Sequence, residues 1–320
     1  MHEGRLMKST ILYFLPVAFA LAGCGNGGSQ NDGGDPGDGG AFDANLPDIP
    51  NLPDCDPNSC PSKHCGPDGQ CAADCSQTGC SNGQTCCNNS YCADLAKDPQ
   101  NCGACGTACS GKQFCTTSAC KDAIVQNLCA NGSASIVQDS IDTDKTAGTT
   151  IQAGLTAACP QAQIGTIIQG ANGSMDPQNG RPTLGPGNTY VASGGGFGQK
   201  AVWYMNGAKN APVYAIDDSV QIAFVRTSDN GTIVKTPLSA LTAHHDYFLI
   251  YVAPEPVSGT LVFAVYGLYG PGTMAGAFYW KSVMATAISS QSKQYYVFEW
   301  TDANNDSQPQ ANEFKQIEAN

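Results

Sequence analysis

The spacing of apolar positions divides the chain into three stretches with different rhythms. Ile11 to Ala22 is one apolar run, interrupted only by Pro16. Segment 55–120 is almost free of aliphatic side chains, with Leu95 its only Leu, Ile or Val. Beyond it, short apolar runs alternate with glycine turns and helix-like stretches. Thr149–Ala158 reads as a short helix and Ile164–Ile168 as a strand. Thr189–Ala192 is a strand that enters Ser193–Gly198 and then a helix-like stretch to about Asn206. Pro212–Ile216 is a further strand. Val220–Arg226 and Thr232–Lys235 flank Asp229-Asn230-Gly231, a strong hairpin turn. Tyr247–Val252 and Thr260–Tyr266 flank a second hairpin at Pro254–Gly259. Gly267–Gly272 turns into a helix from Thr273 to about Ser289, and Tyr295–Trp300 reads as the last strand. This alternation predicts an α/β domain with a mixed sheet over 123–320. Runs such as Tyr247–Val252 fit a sheet covered on both faces.

The first apolar run is too short to span a bilayer, which takes about 20 apolar residues. Arg5 and Lys8 precede it and small residues end it, the pattern of an export signal. Its ending, Leu21-Ala22-Gly23-Cys24, resembles the lipobox of bacterial lipoproteins. That resemblance implies removal of residues 1–23, a lipid on Cys24 and a membrane anchor through it. Gly25, rather than Asp, after the cysteine implies the outer membrane. Residues 25–54 carry eight Gly, six Asp, four Pro and no Lys or Arg. Such a segment buries too little apolar surface to offset its ordering entropy, so 24–54 is expected to be a disordered acidic tether.

Cysteine usage sharpens the layout. Of seventeen cysteines, fourteen crowd into Cys55–Cys120, leaving Cys24, Cys129 and Cys159. If Cys24 carries lipid, sixteen remain and all can pair, as an oxidising compartment favours. Segment 55–122 therefore reads as a module whose cross-links replace a core. Cys65–Cys71, Cys80–Cys86 and Cys109–Cys115 repeat a C-x5-C spacing around glycine, each with another cysteine four or five residues upstream. The repeat predicts stapled loops without assigning the bridges. Cys129 and Cys159 stand alone and are expected to pair. Cys102-Gly-Ala-Cys105 also has the shape of a zinc knuckle, but no second knuckle follows at ribbon spacing and no zinc is expected. The run Cys86–Cys120, with Asp98-Pro99-Gln-Asn101-Cys102-Gly103-Ala-Cys105-Gly106 at its centre, resembles the Stig1-type cysteine-rich repeat. That resemblance implies an extracellular interaction module.

The formal charge is −12 with no basic cluster, which argues against nucleic acid as a partner. Gly270-Pro-Gly272-Thr-Met-Ala275 fits a phosphate-cradling spacing, but the hairpin-rich order is wrong for a dinucleotide fold, so no nucleotide is expected. Catalytic signatures are sparse: His245, Asp246 and Glu299 are the weak candidates. The best constellation is Asp302-Ala-Asn304-Asn-Asp306-Ser-Gln308-Pro-Gln310-Ala-Asn312-Glu313. It places oxygens at positions 1, 3 and 5 of a twelve-residue loop, a backbone carbonyl at Gln308 and a bidentate Glu313 at the end, the ligand set calcium takes. It resembles the EF-hand-type loops of exported bacterial proteins, with Ser307 where glycine is usual. Segment 160–315, through Leu184–Asn188, Gly194–Gly198, His245–Phe248 and Pro271–Thr273, faintly resembles S-layer-like surface proteins. The expectation is a non-enzymatic surface lipoprotein for adhesion or envelope structure, bound through its lipid and meeting a surface protein or glycan. The alternative is a lipid-anchored hydrolase or glycan-binding protein with a cleft over the glycine turns.

Overall fold

A computed structural model describes Cys60, Cys71, 74–75, 79–80, 83–138, 140–195 and 198–320. The expected export signal (1–23), Cys24, the expected tether to residue 54, Cys55 and Cys65 lie outside the described residues.

The cysteine-rich region forms two small hairpins, β1 (Thr85–Cys87) with β2 (Tyr91–Ala93), and β3 (Gln113–Thr116) with β4 (Ala119–Asp122). Thr117 and Ser118 close the second hairpin with φ of 48° and 62°, the left-handed pair a two-residue turn requires. Bridges join Cys60–Cys71, Cys75–Cys86, Cys80–Cys92, Cys87–Cys105, Cys102–Cys115 and Cys109–Cys120. The repeated C-x5-C pairs therefore do not close on themselves. In two of the repeats the upstream cysteine, Cys60 or Cys75, joins the last cysteine of the unit. Among its described residues, the module's own apolar cluster is Cys87, Tyr91 and Ala93 with Leu95 packed against it. A polar hub stands in for the rest. The Tyr91 hydroxyl and the Gly106 N–H both donate to Asn101 Oδ1, while Asn101 Nδ2 donates to Asp98 Oδ2. Asp98 and Asn101 are buried, so these bonds offset a desolvation cost that unmade bonds would leave standing.

The α/β domain is built on a seven-stranded sheet. Its elements in chain order are β5 (Ser133–Gln138), α1 (Asp142–Ala158), β6 (Gln163–Ile168), β7 (Asn188–Ser193), α2 (Lys200–Gly207), β8 (Val213–Asp217), β9 (Gln221–Arg226), β10 (Thr232–Pro237), β11 (His245–Pro254), β12 (Leu261–Gly267), α3 (Gly270–Tyr279), β13 (Tyr295–Thr301) and β14 (Phe314–Ala319). The sheet order is β14-β13-β11-β12-β7-β5-β6. Strands β6, β5, β7 and β12 run parallel; β11, β13 and β14 add antiparallel pairs. A mixed sheet results, as the alternation predicts.

Period-two side chains split the core in two. On one face Ile136, Val191, Phe248, Ile250, Val252, Phe263 and Val265 meet α1, α3 and Trp280. On the other Val137, Tyr190, Leu249, Tyr251, Val262 and Tyr266 meet α2 and the three-stranded sheet β10-β9-β8. Both faces of β11 and β12 are therefore covered, and each buried Leu, Ile or Val contributes about 1.5–3 kcal/mol. The cysteine-rich module docks at the end where β5, β7 and β12 begin. Phe114 joins the α1-side core, Thr116 Oγ1 donates to the Ala130 carbonyl, and Pro99 packs on Gly259.

Three local expectations change. The helix predicted at Thr149–Ala158 begins at Asp142, because Gly148 and Gly154 serve packing rather than termination. A Cβ at Gly154 would stand 2.7 Å from Trp280 Nε1. The long helix to Ser289 stops at Tyr279, giving way to a π turn at Trp280–Met284 and a 3-10 turn at Ala285–Ser290. Tyr295–Trp300 is not the last strand: β14 follows, and its Lys315 and Glu318 masked it in the apolar pattern. Strand β5 was also hidden, inside a run of small and polar residues.

Candidate functional site

The acidic loop joins β13 to β14, so an antiparallel hairpin brings its two ends together. Asp302 has a fully buried side chain. Its Oδ1 accepts from the Asp306 N–H at 3.3 Å and its Oδ2 from the Ser307 N–H at 2.7 Å, so the loop wraps around this carboxylate. Asn304 Oδ1 accepts from the Asp306 N–H, and Asp306 Oδ1 from the Gln308 N–H. Glu313 closes the ring, taking the Ala303 N–H on Oε1 and both Trp300 Nε1 and the Gln310 N–H on Oε2. Ser307 adopts φ +58°, the left-handed turn that glycine supplies in such loops.

The donor set fits a hard cation: it offers oxygens and no sulfur, and an ionised carboxylate that accepts two N–H groups keeps further lone pairs. The carboxylates are not gathered for ligation. Among the described residues, the only groups of three His, Cys, Asp or Glu with ligand atoms within 4.8 Å are cysteine triads, and those cysteines are in disulfides. Ligation would turn Asp306 and Glu313 inward and release some of their N–H partners. His244 is the neighbour that loop spacing did not reveal. Its Nδ1 lies 2.6 Å from Asp302 Oδ2. Burial works against ionisation of Asp302, and the hydrogen bonds from His244, Ser307 and Asp306 outweigh it, holding the carboxyl below its usual range.

The weak catalytic candidates separate onto two faces, because neighbours on a strand point oppositely. His245 and Tyr247 lie on one side of β11 with Glu299 of β13. Glu299 Oε1 sits 3.2 Å from His245 Nε2 and accepts from the Tyr247 hydroxyl at 3.3 Å; its Oε2 takes Lys315 Nζ at 3.1 Å. Burial opposes ionisation of Glu299, but His245 and Lys315 together hold it below the usual range. With both oxygens engaged, Glu299 is a poor general base. Asp246 faces the other way and is fully buried. Its Oδ2 accepts from the Gly272 and Tyr269 N–H groups at 2.6 and 3.1 Å, its Oδ1 from the Tyr247 N–H at 2.7 Å. The carboxyl thus occupies the N-terminus of α3, the place a phosphate would take in the G-x-G-x-x-A reading. Burial pushes it up to about 7, against those three bonds and the nearby His245.

The glycine turns do meet. The Gly194 N–H donates to the Val265 carbonyl, and a Cβ on Gly195 would touch both Tyr266 and Gly267. They lie at the carboxyl ends of the parallel strands. There β5 sends α1 to one face and β7 sends α2 to the other, the switch point where open α/β sheets bind ligands. Here the chain's own side chains fill much of that place. Asp144 packs its carboxylate against Gly194, Gln199 Nε2 donates to the Val137 carbonyl, and Gln169 bonds both Gly198 and Lys200.

Cys129 and Cys159 form a disulfide that ties the 3-10 turn Val125–Ala130 to the end of α1. Among the described residues no helix is long and apolar enough to cross a membrane. The bridges mark an exported or extracellular protein. No protein-family model matches the chain, and neither a curated protein nor a solved structure matches it.

Proposed function

We propose that this chain is a non-enzymatic surface lipoprotein, held at the outer membrane by a lipid on Cys24, whose C-terminal domain is stabilised by calcium. Its task is adhesion or envelope structure, with a surface protein or glycan as partner. The observation that carries the reading is the β13–β14 loop. Four oxygen-bearing side chains stand at the ligand positions of a twelve-residue calcium loop, and Ser307 already holds the left-handed turn such a loop needs. The side chains at the candidate catalytic positions support the same reading: Asp246 caps a helix, and Glu299 is saturated by three donors.

Two experiments test it. In detergent phase partition, the native protein enters the detergent phase and Cys24→Ala stays in the aqueous phase; equal partition of the two contradicts the anchor. In pull-downs from envelope proteins and glycans, chelator abolishes capture. Capture that ignores chelator contradicts a calcium-dependent surface role.

A further inference from the structure

The two edges of the seven-stranded sheet are built differently. The β14 edge carries Lys315 and Glu318, and its pairing with β13 is broken by a register shift at Val297/Phe298. Charges and bulges of this kind stop an edge from recruiting another strand. The β6 edge, Gln163-Ile-Gly-Thr-Ile-Ile168, has no charge and no proline, and it pairs with β5 in unbroken register. Among the described residues no strand pairs with its outer side. Ile168 is 72% exposed there.

The surroundings share this character. Residues 146–175 contain no Asp, Glu, Lys or Arg, the longest such run in the chain. The run covers most of α1 as well as β6. Ile164 and Thr166 lie on the α1 side of the sheet, where Thr166 Oγ1 donates to Gln152 of α1 and Ile164 packs on the α1-side core. Thr149, Ala153, Thr156 and Ala157 expose small uncharged side chains beside them. The result is a neutral edge flanked by a neutral helix face on a protein of formal charge −12.

We propose that β6 is a homodimer edge, pairing antiparallel with β6 of a second copy. The edge is self-complementary. An isologous contact sets a patch against itself, and an uncharged strand does so without like-charge repulsion between two copies of an acidic chain. A two-fold axis through Thr166 places Thr166 opposite its own copy and Ile164 opposite Ile168 of the second copy. Both exposed Ile168 side chains are then covered, and the neutral faces of the two α1 helices come side by side. The two seven-stranded sheets become one continuous sheet.

Sedimentation velocity on the oxidised full chain in detergent, from ~1 to ~100 µM, tests this directly. The expected result is a concentration-dependent dimer. Ile168→Lys is expected to weaken it by at least ~30-fold, since each interface then takes on two buried charges. Gln316→Lys on the opposite edge leaves it unchanged. Ile168 is exposed, so the variant folds; an unaltered thermal melt checks this. In the native chain, amide exchange at 164–168 slows as concentration rises. A native chain that stays monomeric at ~100 µM overturns the proposal, as it would if β6 served a foreign strand instead. A dimer indifferent to Ile168→Lys also overturns it.

Discussion

At the scale of single residues, two positions set chemistry against local rules. Asp246 is a buried carboxyl whose titration is pushed up to about 7. Between the unfolded value near ~4 and about 7 the folded chain binds the extra proton, so Asp246 makes stability fall as pH rises through that window. Asp246→Asn removes this slope while weakening the cap on α3. Its cost, about 1–3 kcal/mol in chemical denaturation near pH ~4, is expected to shrink toward pH ~8. A cost that grows with pH would show an ionised, stabilising carboxylate instead. Ser307 has the opposite problem: a side chain where the backbone asks for glycine. Ser307→Gly is expected to raise stability by about 0.5–1 kcal/mol and to leave the hairpin otherwise intact. A lower melting temperature would mean that the Ser307 side chain contributes more than the turn strains.

Among the elements, α1 shows how packing overrides propensity. Its Thr-rich sequence with Gly148 and Gly154 is a poor helix by composition. The helix persists because the glycines allow close approach: to Ser193 and Ile136 at Gly148, and to Trp280 and Lys281 at Gly154. Gly154→Ala should therefore cost about 1–3 kcal/mol in thermal or chemical unfolding, although alanine is the better helix former. A neutral or stabilising result would mean that the contact is loose. The same logic marks what the sequence could reveal. Strands β11 and β12 were legible because unbroken apolar runs mean burial on both faces, and β13 because its apolar run is interrupted only by Glu299. Strand β14 was not, since an edge strand with Lys315 and Glu318 reads as a loop, and β5 hid behind Ser133, Ala134 and Ser135. The acidic loop stood out by the spacing of its oxygen-bearing side chains. Its contact with His244 was not legible, because only the pairing of β11 with β13 brings His244 to Asp302. Asp246 was legible as unusual but not as a helix cap, since strand parity alone did not show that it faces α3.

At the scale of the whole molecule, the described residues form a cross-linked cap on a conventionally cored domain. The described half-cystines are all paired, so an oxidised sample should show no reactive thiol from them. The Cys129–Cys159 bridge closes a separation of 30 residues and contributes about 3–4 kcal/mol in the chain-entropy model. Replacing both cysteines by alanine should lower stability by a comparable amount without dissolving the domain, because Cys159 is one of many members of the α1-side core and the opposite core contains neither cysteine. Loss of all cooperative unfolding would show that the cores depend on the bridge. Among the described residues, the β13–β14 loop is where the proposed calcium site lies. Calorimetric titration of the oxidised full chain with calcium tests the central claim most directly. One ion should bind per chain with a dissociation constant at or below ~1 mM, and Glu313→Gln should abolish that heat while circular dichroism stays unchanged. No binding heat up to ~10 mM calcium, or equal heat from the Glu313→Gln variant, would contradict it.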